Sequence, residues 1–549
     1  MAILVTWLGM VGWHVRREYF HPELARLASA ALSLDPTTNF YTLQMNGRSV
    51  GLANSRLDTI PGGFLLDDLM TLELPALGQT GRAVARTQVR MSPALEMQSF
   101  TFSLDSEGGE FAAEGSMRGD SLLRVTVSAG GAPQEFEYRF VEPPLFSAIL
   151  PIRLAMSGGL RVGRDFRFPV FDPSTLSTRT VEISVLEHDT LMVVDSVSRG
   201  PSGRWVPARE KTVPAWRVAE RYGGMSVESW IDQDGRIVRA TSALGFSMER
   251  TEYDLALQAQ EDARGGGFAS AGDIILNTAI RSNVELDDIE SFGALGFRLK
   301  GVDLAGFELD GGRQSLSGDT LRVTRESWAQ IDPGYTLPYS RMDLREALEA
   351  EVLIQSDDPR IRRAATGAVR GVDRRDPKEV ARRLSSYVHD LLRKDVTFSV
   401  PSALQVLEEG AGDCNEHTVL YVALARSLGL PARTAVGLVY LDGSFFYHAW
   451  PEVWLGEWVA VDPTLGQVPA GAAHLRFVNG GLARQVEITR LIGNLDIEVL
   501  TGDERVSGAG GATPSARGFA PPPAVAPSPG FAPAVTAASA PARTARSSR

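Results

Sequence analysis

From about Asn39 to Leu257 apolar side chains recur at every second position, as in Phe100, Phe102 and Leu104, then Leu123, Val125 and Val127, then Phe136, Tyr138 and Phe140. A period of two is the signature of a strand with one buried face. Turn signals at Glu107-Gly108-Gly109, Gly130-Gly131 and Asp234-Gly235 interrupt it at short intervals, so the pattern predicts antiparallel hairpins in a sandwich or half-barrel over residues 36–257. No group of His, Cys or paired carboxylates gathers there, and this half of the chain reads as a binding or scaffolding domain. Residues 258–272, which contain QEDARGGGFASAG, read as a linker, and a small strand-rich segment follows at 273–335.

The period then lengthens. Leu344, Leu348 and Val352 repeat at helical spacing, as do Val380, Leu384, Tyr387, Val388 and Leu391 behind an Asp376-Pro377 start signal. A third domain, mixed α+β, is therefore expected over 340–500. The fold class predicted for the whole is multidomain: a β-rich antiparallel N-terminal half followed by an α+β domain.

Both ends differ from the body. Residues Ala2 to Trp13 are an apolar run of about a dozen residues, shorter than the roughly 17–25 that cross a bilayer, with Arg16 and Arg17 behind it. Residues 1–30 are read as an anchor or export segment, which places the protein at the cell envelope with membrane association through its N-terminus; a docked or amphipathic helix, and a cytoplasmic protein, remain the alternatives. From 503 to 549 Ala, Pro, Gly and Ser dominate and large apolar residues nearly vanish, so a disordered tail is expected.

The chain has 549 residues, enough for more than one core, and 55 Lys+Arg against 67 Asp+Glu give a net charge of −12. With no basic run to offset that charge, nucleic acid is excluded as an expected partner. The sequence is silent on oligomeric state. The single cysteine, Cys414, rules out an internal disulfide and any site built on several thiolates, so thiol chemistry in this chain must occur at residue 414.

The stretch GDCNEHTVLYVALARSLGLPAR reads as a helix with marked ends: Asp413 caps it, Glu416 completes a capping box, and Gly429 and Pro431 stop it. Val419 to Ala425 is apolar nearly all round, which predicts a buried helix with Cys414 in its first turn. Downstream, FFYHAWPEVWLGEWVAVDPT predicts two strands. With a three-residue loop at Leu455 to Glu457, residue 450 opposes 462 and residue 464 opposes 448, which makes His448 and Asp462 diagonal neighbours roughly 7–8 Å apart at the backbone. A two-residue loop would put them on opposite faces. A thiol, an imidazole and a carboxylate in this order supply nucleophile, base and orienter for attack on a carbonyl, with the Cys414 backbone N–H as oxyanion donor and a second donor sought at Ser402 to Gln405.

The residues GDCNEHTVLYVALARSLGLPAR, YHAWPEVWLGEWVAVDPT and GQVPAGAAHLRF resemble the transglutaminase-like superfamily, of papain-like fold, and in particular its bacterial members. The resemblance covers about 340–490. It implies Cys414 as nucleophile, His448 as base and Asp462 as orienter, on a helix packed against an antiparallel sheet, and acyl chemistry at the amide bonds of a protein or peptide substrate, either hydrolysis or transfer. No cofactor is expected.

Other readings compete. Cys414 with His417, His448 and Asp462 is a conceivable zinc set, although His417 reads better as a helix support. Trp450, on the His448 face, is a candidate for the wall of a substrate cleft. His14, His21, His188, His389 and His474 show no partner pattern. The alternative to an enzyme is a non-catalytic interaction protein of the envelope that uses the same fold.

Overall fold

The computed structural model describes residues 22–500 apart from 77–78, 223–224, 243–244, 266–277 and 398. The apolar N-terminal run, part of the expected linker and the C-terminal tail lie outside the described residues. Among those described, no helix is long and apolar enough to cross a membrane.

The alternating half of the chain forms one 15-stranded sheet. Eight strands, from Thr37–Met45 to Gln134–Arg139, run outward as a meander. After a helix at Leu150–Met156 the chain meanders back, and its final strand, Phe246–Thr251, pairs antiparallel with the first, Phe40 opposite Thr251. The sheet curls, because Phe100 meets both Phe146 and Phe171, at 5.4 and 5.6 Å, and Tyr138 near one edge stacks edge-on against Phe171 near the other at 5.3 Å. The curled antiparallel sheet wraps round a core of Phe64, Leu66, Val89, Met91, Phe100, Phe111, Leu123 and Val125.

Two local expectations are corrected. The expected linker begins as helix, since Tyr253–Gly265 is α-helical. Its polar residues grip the sheet: Gln258 exchanges two hydrogen bonds with the Trp205 backbone, and Gln260 and Arg264 both donate to Glu73. The helical spacing of Leu344, Leu348 and Val352 does not make a helix; a short 3-10 turn at Met342–Leu344 leads into irregular backbone. The carbonyls a helix would need are taken elsewhere, Ala347 C=O by the Ala432 N–H and Glu349 C=O by the Arg426 guanidinium.

The rest of the chain builds around the helix Cys414–Ser427. Helices Pro359–Ala368, Pro377–Leu391 and Ala403–Glu409 share a core with it. Asp376 caps the second of these by accepting from the Lys378 and Glu379 N–H groups. On its other side lies a sheet in which Ala432–Leu441 stands between Ser444–Trp454 and His474–Asn479, with Trp458–Ala460 on the outer flank. The segment expected as a separate small β unit at 273–335 shares this core instead. Its strand Ala294–Lys300 pairs with Asp496–Leu500 at the far end of the described chain, and Phe297 packs edge-on against Phe445 at 5.8 Å.

The β-rich half is docked on the Cys414 side of this region. Two hairpin tips, 107–109 and 129–131, meet the stretch 397–405. Gln405 donates to Glu110 C=O at 2.7 Å and Ser402 to Ala129 C=O at 2.8 Å, while Val352, Leu353 and Val400 extend the β core. The approach is too close for side chains: a Cβ on Gly130, at φ +67°, would lie 2.3 Å from Gln405 Cγ. Gly130→Ala should therefore destabilise the full chain by about 1 kcal/mol or more, since it adds left-handed strain to a steric clash. A urea-unfolding midpoint equal to wild type would contradict this packing.

Candidate active site

Cys414 opens its helix as expected. Asp413 accepts from the Asn415 N–H at 2.8 Å, and the Glu416 carboxylate accepts from the Asp413 N–H at 2.9 Å, closing the capping box. Glu416 is itself buried and accepts from the hydroxyls of Thr397 and Ser399, at 2.7 and 2.8 Å. Everything from Glu416 to Arg426 is buried, so the all-round apolar pattern marks an interior helix.

The thiol is half-buried, and its environment pulls two ways. Burial pushes Cys414 well above the ordinary thiol range; the charge of Asp413 adds to this, as do Glu416 and Asp462, while the Ala449 backbone N–H draws it back. A neutral thiol is therefore the resting preference of the pocket, and a cationic partner is needed to hold the thiolate.

The strand that carries Ala449 also carries His448. The connection Leu455 to Glu457 is the three-residue loop, with Gly456 at φ +89° and Trp454 opposite Trp458, Glu452 opposite Ala460. This register brings His448 Nε2 to 2.7 Å from Asp462 Oδ2, both residues buried. Asp462 Oδ1 accepts from the Leu465 N–H at 3.0 Å, and the turn beyond is pinned by paired backbone bonds between Asp462 and Gln467 and by His389, which donates from Nδ1 to Pro463 C=O at 2.8 Å. Burial by itself would raise the Asp462 carboxyl, but His448 and His474 outweigh it and hold Asp462 far below the usual carboxylate range. Asp462 faces Nε2, so a hydrogen on that nitrogen serves the carboxylate and Nδ1 is the ring nitrogen turned away from it.

Some readings of single residues hold and others change. Trp450 is fully buried and lines no cleft; it packs against His448 at 6.0 Å and edge-on against His474 at 5.2 Å, because its strand face is covered by Ala435, Ala460 and Ala470. His417 supports the helix, donating from Nδ1 to Asp413 C=O at 2.7 Å, and burial lowers its pKa so that it stays neutral. Among the described residues the donor cluster with metal-compatible spacing is His448, Asp462 and His474, within 4.8 Å of one another, and it includes neither Cys414 nor His417. Ser402 and Gln405 bond the β-rich half, so neither side chain is the second oxyanion donor. Glu452 is a cross-strand partner of Arg433, at 2.6 Å, and also pairs with Arg476. The residue missed by sequence reasoning is His474, whose Nε2 lies 2.9 Å from the same Asp462 Oδ2.

A thiol at the N-terminus of a buried helix and a histidine–aspartate pair on the antiparallel sheet packed against it are arranged as in a papain-like fold. Residues 366–463, which hold all three groups, match the family model described as the transglutaminase-like superfamily, and this part of the chain is a transglutaminase-like domain. Comparison with curated proteins finds no match. Solved structures similar to the chain include a candidate cysteine protease from Cytophaga hutchinsonii (17% identity, covering 38% of this chain and 81% of that one, TM-score 0.26). They also include a beta-barrel-like protein of domain of unknown function DUF1849 from Brucella abortus (13% identity, 40% and 95%, TM-score 0.30). A third is the periplasmic domain of TgpA from Pseudomonas aeruginosa bound to ethylmercury (15% identity, 35% and 90%, TM-score 0.23).

Burial and the neighbouring Glu416 raise the Asp413 carboxyl well above its ordinary value, so the negative charge it sets beside the thiol grows as pH rises. Asp413→Asn keeps a capping oxygen and removes that charge. Alkylation of Cys414 should be faster in the variant, with the gap widening from pH 6 to pH 8; a gap that is constant or reversed would show that Asp413 does not set the thiol's acidity.

Proposed function

We propose that this protein is a thiol-dependent acyl-transfer or amide-hydrolysing enzyme acting on a protein or peptide, with Cys414 as nucleophile, His448 as acid–base group and Asp462 as orienter. The observation that carries this is the 2.7 Å His448–Asp462 bond, formed on the strand whose next residue, Ala449, turns its N–H toward Cys414. In the reaction the Cys414 proton passes to His448 Nδ1, sulfur bonds to the carbonyl carbon, and the negative oxygen faces the Cys414 backbone N–H, one of the donors a helix's first turn leaves unpaired. The C–N bond then breaks as His448 returns the proton to the departing amine. Water or a second amine attacks the thioester, giving its proton to His448, and sulfur leaves to regain it. Asp462, unable to accept that proton at neutral pH, keeps the imidazole in the Nε2–H form and stabilises the imidazolium between the two transfers.

The same chain is proposed to work at the cell envelope, held through its N-terminal apolar run, with the β-rich half presenting or excluding substrate beside residues 397–405. Support for the envelope is the apolar segment 2–13 and its following arginines. The interaction-protein reading gains no observation of its own, whereas the intact histidine–aspartate pair favours catalysis.

Iodoacetamide labelling of Cys414 across pH tests the proposal on the full chain. In wild type, labelling should stay fast well below the free-thiol pKa of about 8.5, and His448→Ala should remove that low-pH reactivity. On an amide substrate found by screening, Cys414→Ser should abolish turnover and His448→Ala lower it by about 10²–10⁴-fold. An ordinary thiol profile that His448→Ala leaves unchanged would exclude the triad.

A further inference from the structure

His474 comes from outside the matched family segment and from a strand, His474–Asn479, separated from the His448 strand by Ala432–Leu441. Gly437 on that middle strand stands opposite His448 and next to Arg476, at a register shift between Val436 and Gly437. A Cβ there would fall 1.8 Å from the Leu475 carbonyl oxygen, so only glycine lets the strands close this far. The approach to His474 is fixed from the other side as well: Arg313, buried, donates to the carbonyls of Ala470 and Gly471 at 3.0 and 2.7 Å, and the Gly471 N–H donates to Gln467 Oε1.

We infer that His474 is a positioning residue of the proposed triad: it donates to the carboxylate oxygen that His448 uses, locking Asp462 in place and dividing its charge between two imidazoles. The inference rests on the triad reading above. With His448 and His474 on Oδ2 and the Leu465 N–H on Oδ1, neither carboxylate oxygen is left without a donor, and rotation would break all three bonds. His474 itself stays neutral. Its Nδ1 is buried with no hydrogen-bond partner among the described residues, so a proton there would be an unpaired buried donor; burial lowers its pKa against the pull of Asp462, and Arg313 works in the same direction as burial. Among the described residues Cys414 and His417 on the central helix and Lys394 ahead of it also interact with the Asp462 charge, Asp413 and Glu416 act on Cys414, and Glu326 lies beside Arg313.

The test uses the full chain, with the His448 ring followed by nitrogen-15 spectra and Cys414 by iodoacetamide labelling, both across pH. His474→Leu removes the second donor. Asp462 then serves His448 alone, and the imidazolium should lose its proton about one unit higher. His474→Gln, whose amide N–H can stand near the place of Nε2, should return the titration toward wild type. A purely structural His474 would lower stability without moving that titration. An unmoved His448 titration in His474→Leu, or no restoration by His474→Gln, would overturn the role of His474 while leaving the triad intact. An ordinary thiol profile in wild type would instead overturn both. If His474→Leu does not fold, the wild-type spectra decide: His474 must remain neutral with its proton on Nε2 while His448 titrates, and a proton on Nδ1 would overturn the inference.

Discussion

The site turns on one buried carboxylate. Asp462 has no exposed surface, and an ion in that position survives only because donors converge on it. Satisfying it constrains much of the C-terminal region at once: the loop at Gly456 sets the register that delivers His448, the turn after Asp462 supplies the Leu465 N–H, and a bare glycine draws in the strand with His474. Removing any donor leaves charge without compensation, so these elements are coupled through electrostatics as well as through packing. The arrangement also separates tasks. The carboxylate and His474 lie in the interior, while the thiol is half-buried.

The central helix joins the site to the rest of the molecule. Glu416 bonds the backbone at the helix start and also the hydroxyls of Thr397 and Ser399, and the same stretch, continuing to Gln405, is where the hairpin tips of the β half dock. A displacement of those tips acts on the residues that hold the helix cap, one residue from the thiol. The β-rich half is therefore mechanically adjacent to the candidate site, although Cys414, His448 and Asp462 all come from the other half of the chain.

Much of this was legible in the sequence because it depends on local rules. Period-two alternation gave the strands, the Asp413–Glu416 spacing gave the helix start, and a Gly-containing three-residue loop gave the His448–Asp462 alignment. What escaped depends on contacts distant along the chain. His474 pairs with Asp462 through a middle strand and a bulge, neither of which a one-dimensional pattern encodes. Trp450 shares the His448 face, but whether that face is open is decided by alanines from other segments. The 344–352 repeat has helical spacing, yet Arg426 and Ala432 claim its carbonyls. The 258–265 helix looked like a linker because its fixing contacts are polar and lie on the sheet.

The pairing of Asp496–Leu500 with Ala294–Lys300 has a consequence in time. A ribosome releases the chain from its N-terminus, so the strand at 294–300 can pair at once with Thr320–Thr324 on one side but waits for some two hundred residues to emerge before its other neighbour exists. The β half can collapse during that interval, since every strand of its sheet lies between residues 37 and 251. The core that Phe297 and Phe445 share with Ile497 and Val499 is complete only after residue 500 has emerged, so the sheet against which Cys414 packs settles after the β half.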